Sequence, residues 1–133
     1  MFLGEYQLNF SGQGRVVLPK KIREDIGGLE IVLSRGIDGC IWGFGLKGWE
    51  EQARAQLEIS ITDKEGRNLR RYLFSAAEKV RLDRQGRFIV PTPLLNFAGI
   101  KDGVVLVGAG DHFELWNISS WKRFKAIMES ADE

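Results

Sequence analysis

Two stretches decide how this chain is read: Ser11-Gly-Gln-Gly-Arg-Val-Val-Leu-Pro19 and Asp83-Arg-Gln-Gly-Arg-Phe-Ile-Val-Pro91. Laid over one another at an offset of 72 residues they share Gln, Gly, Arg and Pro, and the three residues between Arg and Pro are apolar in both. The correspondence extends outward. Upstream, Leu8 and Phe10 meet Val80 and Leu82; downstream, Ile31 to Gly36 meets Val105 to Gly110, and Ile41-Trp42 meets Leu115-Trp116, at an offset of 74 that places two inserted residues in the loop between. Trp49 meets Trp121 back at an offset of 72. The copies span about residues 6–54 and 78–126, joined by a helical segment 55–77, in a single domain 1–133. Two such copies are too few for a solenoid, which needs three or more.

Each copy reads as strand, glycine turn, strand, short helix, strand, turn, strand. Leu8 and Phe10 alternate with polar neighbours before the glycine turn, and Val16 to Leu18 follow it, the signature of a hairpin. Pro19 suits the start of a helix and Gly27 its left-handed stop, with Pro91 and Gly99 in the same places of the second copy. A small sheet built from one copy would leave edges open and little core, so the two halves are expected to interleave into one closed barrel. The expected class is mainly β with peripheral helices. Trp49, Ala53 and Leu57 space out one helical stripe, and Thr62-Asp-Lys-Glu65 reads as a capping box for a second helix with Leu69, Tyr72, Leu73, Ala76 and Ala77 inward. Ser119 or Ser120 is expected to cap a last helix carrying Trp121, Phe124, Ile127 and Met128, and the acidic end Glu129 to Glu133 to fray.

Composition narrows the function by exclusion. The chain has 133 residues, 44% hydrophobic and 28% charged, with 19 Lys and Arg against 18 Asp and Glu, the profile of an ordinary soluble domain whose bulk charge names no partner. One Cys permits no internal disulfide, and with one His it cannot build the usual four-ligand structural zinc site. Glu5, with no cation before Arg15, is the wrong opening for a secretory signal, and the longest uncharged run, Phe88 to Ile100, is too short to span a bilayer. The expectation is a reduced, cytosolic, soluble protein. Its 16 glycines fall largely in matching places: Gly14 with Gly86, Gly27 with Gly99, Gly36 with Gly110.

Three motifs invite catalytic or cofactor readings. Gly43-Phe-Gly-Leu-Lys-Gly48 fits the dinucleotide fingerprint and Asp63 lies twenty residues on, but no buried parallel strand ends near Asp63 and the matching stretch Asn117 to Ser120 lacks glycine. The glycines read better as the end of a strand and the entry to a helix. His112 stands beside Asp111 in an expected turn with no second His for a relay or metal site, and Cys40 lies in an apolar strand, a buried small hydrophobe rather than a thiolate.

The repeated Gly-Arg differs because one cation holds the same turn position twice. Residues 11–23 carry Arg15, Lys20, Lys21 and Arg23 with no acid; residues 64–87 carry eight cations against three acids. A nearly neutral protein can still bind phosphates where its cations converge on one face. An arginine beside a turn can also reach a guanine edge from a two-stranded ribbon in the major groove. The alternative is that Arg15 and Arg87 brace the fold through Asp83 or turn carbonyls.

Taken together, the opening Met-Phe-Leu-Gly-Glu-Tyr, the doubled Gly-Arg, Arg35-Gly-Ile-Asp-Gly-Cys-Ile-Trp42 and Asp83-Arg-Gln-Gly-Arg87 resemble the MraZ family of bacterial transcriptional regulators over nearly the whole chain. The resemblance implies a double-split β-barrel of the AbrB and MazE type, with both swapped-hairpin halves in one polypeptide. It also implies a ring-shaped homo-oligomer that binds direct repeats of double-stranded DNA upstream of its own division and cell-wall operon, in the cytoplasm at the nucleoid. The family's DNA-binding element is Asp-x-x-x-Arg in each half. Asp83 and Arg87 keep it, whereas Ser11 stands where the acid would pair with Arg15. The expected interface is therefore Ser11, Gly14, Arg15, Asp83, Gly86 and Arg87, with Lys20, Lys21, Arg23 and Arg84 as further phosphate contacts. No enzyme activity, cofactor, metal, membrane or small-molecule substrate is expected. The rivals are a protein-binding, antitoxin-like barrel, for which only the short Ser130 to Glu133 end could serve as a tail, and a small enzyme using the loop at Gly43 to Gly48.

Overall fold

The computed structural model describes residues 1–130. Along it run β1 (Glu5–Asn9), β2 (Arg15–Val17), α1 (Lys20–Ile26), β3 (Glu30–Arg35), β4 (Ile41–Gly45), α2 (Leu46–Leu57), α3 (Lys64–Phe74), β5 (Glu78–Arg81), β6 (Arg87–Ile89), α4 (Thr92–Ala98), β7 (Gly103–Gly108), β8 (Phe113–Trp116) and α5 (Ile118–Ser130). The order from β1 to α2 recurs from β5 to α5, with α3 between. Residues Ala131 to Glu133 of the expected fraying end lie outside the described residues, and Glu129 and Ser130 are still helical.

The strands pair across the two halves. A six-stranded antiparallel sheet runs β1-β7-β8-β4-β3-β5, and β2 pairs only with β6 in a separate ribbon. Exchanging each strand for its counterpart, β1 for β5, β3 for β7 and β4 for β8, reverses that order onto itself. The expected local hairpin between β1 and β2 does not form as a ladder. One bond, Ser11 N–H to the Arg15 carbonyl at 2.9 Å, closes the loop, and the strands then part. Pairing elsewhere serves β1 better, because β2 offers three residues whereas β7 offers five, from Glu5 opposite Val107 to Asn9 opposite Gly103. Interleaving is thus present, but hydrogen bonding does not close the sheet into a barrel: β1 and β5 are its outer strands. The charged Glu78, Lys79 and Arg81 on β5 discourage further strand addition there.

Alternation along each strand sorts the core to two faces. Ile31 and Leu33 on β3, Val104 and Leu106 on β7, and Phe113 and Leu115 on β8 meet Val16 and Phe88 of the ribbon, Ile22 of α1 and Leu94, Leu95 and Ala98 of α4. On the other face, Cys40, Val105, Trp116 and Trp121 gather with Trp42 and Phe124 under α5. Both sides of the central strands are covered, which explains why β3 and β7 are nearly continuous apolar runs. Gly43 makes this packing possible. It lies directly opposite Phe113, and a Cβ built on it would fall 2.2 Å from that ring.

The short helices obey their punctuation. Pro19 and Pro91 precede α1 and α4, and Gly27 and Gly99 end them in the left-handed region at φ 74° and 65°. The longer helices depart from expectation in detail. Asp63, not Thr62, caps α3, its Oδ2 accepting from Gly66 N–H at 2.7 Å, while the Thr62 hydroxyl is held by Ser60. Asn117, not a serine, caps α5 by accepting from Ser120 N–H at 3.0 Å. Each side chain reaches the third N–H of its helix, Asp63 from one position after Thr62 and Asn117 from two or three positions before the two serines. Ala76 and Ala77 of the expected stripe lie beyond the end of α3 at Phe74 and of the rest only Leu73 is fully buried, while on α2 Trp49 and Ala53 are half-buried and Leu57 is exposed. Side-chain bonds secure α3 instead: Arg35 donates to the Tyr72 carbonyl at 2.7 Å and stacks on its ring, and the buried Ser34 hydroxyl donates to the Leu73 carbonyl at 2.6 Å.

Gly43→Ala is expected to destabilise the fold by about 2 kcal/mol, in the range for overpacking a filled core. A lowered urea midpoint with an unchanged slope would show it; an unchanged midpoint would show that Phe113 has room to move.

Candidate nucleic-acid interface

The β2–β6 ribbon has an inner and an outer face. Val16 opposite Phe88 forms the central pair, and both are buried. The flanking pairs, Arg15 with Ile89 and Val17 with Arg87, consequently point outward. The two arginines occupy diagonal corners, about 7–8 Å apart for such neighbours. Two main-chain bonds lock the ribbon to the turns. Val90 N–H donates to the Gly14 carbonyl at 2.8 Å, and Leu18 N–H to the Gly86 carbonyl at 3.0 Å. Gly14 and Gly86 hold φ of 74° and 80°, where a side chain would be strained.

The turn before Arg87 is built around Asp83. Its Oδ1 accepts from Gln85 N–H at 2.8 Å and Arg87 N–H at 2.9 Å, and its Oδ2 accepts from Arg87 Nε at 2.6 Å. The Arg87 backbone N–H, then its side chain, hold the Asp83 carboxyl below its usual range. Because Nε is engaged, the guanidinium is oriented and its terminal N–H groups remain available. The turn before Arg15 keeps the main-chain closure from Ser11 but not the clamp. Among the described residues, Arg15 and Ser11 make no side-chain hydrogen bond or ion pair, which agrees with the absence of a carboxylate at Ser11. The alternative of bracing therefore fits the Nε of Arg87 and finds no partner at Arg15.

A groove of about 460 Å³ runs beside the ribbon, lined by Arg15, Arg81 and Arg87, with Asp83 and Ile89 among its other walls. No motif in the sequence singles out Arg81 for this groove. It ends β5, immediately before the Asp83 turn, and its pairing opposite Glu30 brings it to this groove. Its place two residues before Asp83 was visible in the sequence, but its direction depended on the pairing of β5 with β3.

The other expected contacts are distributed differently. Arg84 is exposed in the Asp83 turn, and Lys20 is exposed at the start of α1. Lys21 lines a separate hollow with Tyr6, Glu24 and Asp25, so it is not brought to the ribbon groove. Arg23 lies across Gly86: a Cβ there would fall 2.2 Å from Arg23 Cδ, and the Arg23 Nε is buried without a hydrogen-bond partner. It supports the Arg87 turn by packing. The basic run of residues 64–87 divides too. Arg67 donates to the Ile61 carbonyl at 2.8 Å and Arg70 to the Leu57 and Ile59 carbonyls, which ties down the α2–α3 linker.

Two of the three glycines of the loop motif have structural employment. Gly43 admits Phe113, Gly45 precedes α2 against the Ile26 carbonyl, and the sheet contains only antiparallel pairs. Cys40 is fully buried, and burial, reinforced by the nearby Glu114 and Asp38 charges, pushes its thiol up to about 12. His112 is more than a turn residue. Its ring stacks on Phe44, leans on Trp42, and bonds Asp111 at 2.7 Å and Glu114 at 2.8 Å. Burial opposes its charge, yet the bonds to Glu114 and Asp111 prevail and raise its pKa above the ordinary 6.5. Among the described residues there is no group of three or more His, Cys, Asp or Glu placed to hold a metal ion, and no helix long and apolar enough to cross a membrane.

Interlaced antiparallel strands that carry an outward pair of ribbon arginines define a cationic-ribbon β protein. The family model described as "MraZ protein, putative antitoxin-like" matches residues 1–72 and again 73–133. The chain is 38% identical over 130 residues to the transcriptional regulator MraZ of Roseiflexus castenholzii, covering 98% of this chain and 90% of that protein. It is 34% identical over 124 residues to the protein of that name from Acetivibrio thermocellus (93% and 86% covered) and 36% identical over 126 residues to that from Lactiplantibacillus plantarum (94% and 88%). The chain belongs to the MraZ family.

The raised His112 pKa gives a signed expectation. Its contribution to stability is fully present below about pH 6.5, the unfolded value, and is lost as pH rises through the higher folded value. The thermal midpoint of the unaltered chain should therefore fall relative to His112→Gln across that interval; parallel pH profiles would mean that the ring does not bind its extra proton on folding.

Proposed function

We propose that this chain is a DNA-binding transcription regulator whose reading head is the outer face of the β2–β6 ribbon. The observation that carries the reading is the pair Arg15 and Arg87, from different halves of the chain, exposed side by side over a groove that Arg81 also lines. The names of the relatives support regulation of transcription. On this reading residues 1–133 form a single domain of two intertwined units, about 6–54 and 78–126, and the sheet plus ribbon constitute a double-split barrel whose parts close by packing. The partner is double-stranded DNA, as direct repeats upstream of the chain's own division and cell-wall operon, met by a ring-shaped homo-oligomer in the cytoplasm at the nucleoid. Several ribbons on successive repeats would add modest contacts through effective concentration. The chain acts by binding and not as an enzyme.

Within the ribbon, each arginine directs its terminal N–H groups to the O6 and N7 acceptors of a guanine. Asp83 fixes Arg87 for that contact; Ser11 leaves Arg15 to find it. Gly14 and Gly86 hold the turns, Arg23 backs the second turn, and Arg84, Arg81 and Lys20 supply positive potential toward phosphates.

Arg15→Ala and Arg87→Ala should each weaken binding to the upstream duplex by about 1–3 kcal/mol, and loss of a phosphate contact should lower the salt slope by about one. Unchanged affinity and slope in both variants would overturn the assignment. The antitoxin-like wording of the family description favours one second reading, a protein-binding barrel, which such a result would bring forward.

A further inference from the structure

The outer face of the ribbon carries more than its arginines. Val17 and Ile89 share it, 43% and 55% exposed, at the two corners that the arginines leave. A strand pair with one buried face ordinarily turns polar residues to the other. Here the inner pair Val16 and Phe88 supplies the ribbon's contribution to the core, so the fold gives Val17 and Ile89 nothing to cover. Each end of the ribbon thus pairs one arginine with one β-branched residue: Arg15 lies opposite Ile89, and Arg87 opposite Val17. The pseudo-twofold relation of the strands exchanges these ends.

Resting on the DNA reading above, we propose that Val17 and Ile89 are specificity-determining residues that recognise thymine 5-methyl groups next to the bases held by Arg87 and Arg15. The major groove presents one apolar group on its unmodified bases, and that is the thymine methyl; aliphatic side chains are its natural contacts. The flanking cations supply the charge complement that draws this apolar pair against a polyanion, where a protein partner's apolar patch would not require two arginines. Because the two ends are related by a pseudo-twofold, the contacts fall on opposite strands, one methyl for each end.

The proposal is tested with duplex DNA from upstream of the chain's own gene, in which each thymine is replaced in turn by deoxyuracil, removing one methyl and nothing else. Binding is measured for the unaltered chain, Val17→Ser and Ile89→Ser. For the unaltered chain, two positions in each bound repeat should each lose about fourfold in affinity, the worth of one buried methyl. Val17→Ser should be indifferent to deoxyuracil at one of them and Ile89→Ser at the other, a non-additivity that marks direct contact. Equal affinity for thymine and deoxyuracil duplexes overturns the proposal while leaving the DNA reading intact; failure of the thymine duplex to bind overturns both. The scan on the unaltered chain needs no variant, so its outcome does not depend on how the substitutions fold.

Discussion

Everything in this molecule depends on two three-residue strands that each find their partner in the other half. The pairing of β2 with β6 buries Val16 against Phe88, sets Gly14 and Gly86 where their carbonyls can be used, and leaves one face for charge. Neither turn can be placed by its own half alone. The Gly14 carbonyl is held by Val90, and the Gly86 carbonyl by Leu18. The same exchange governs the sheet, where β1 and β5 each lie along a strand of the opposite half. Two units that would be open-edged in isolation become one continuous core.

That arrangement separates the work of the two faces of the sheet. The ribbon side is apolar, mostly aliphatic with the rings of Phe2, Phe88 and Phe113, and tightly filled, as Gly43 beneath the Phe113 ring shows. The other side is aromatic and carries the polar groups, with Trp116 donating to Glu114 and His112 held between two carboxylates. The titratable cluster is therefore on the opposite side of the sheet from the apolar core that supports the ribbon.

Much of the fold was legible because its punctuation is duplicated. Pro19 and Pro91, Gly27 and Gly99, and the alternating strands follow from local backbone chemistry, which acts over a few residues. Strand partners do not. The hairpin signature around Gly14 was real as a turn and misleading as a ladder, because β1 gains a longer partner in β7 than in β2. The cap of α3 fell to the residue after Thr62 and that of α5 to an asparagine before the two serines, since serine, threonine, aspartate and asparagine all qualify by residue type and only geometry chooses among neighbours. At the site, Arg15, Asp83 and Arg87 could be picked from the repeat. Arg81 could not, because its direction follows from long-range pairing. Lys21 belongs to the same basic stretch as Arg15 in the sequence, yet α1 turns it to a hollow it shares with Glu24 and Asp25, and within the basic run 64–87 Arg67 and Arg70 are taken up by linker carbonyls.

The difference between Ser11 and Asp83 makes the ribbon's two ends unequal in entropy. Arg87 has already surrendered much of its rotamer freedom to the Asp83 clamp, whereas Arg15 retains it. Any contact made by Arg87 begins from a nearly fixed geometry and is intolerant of displacement. A contact made by Arg15 must order the side chain first, and in exchange can follow a partner that shifts by an ångström or more. A ribbon of twofold design thereby becomes one rigid probe and one adaptable one.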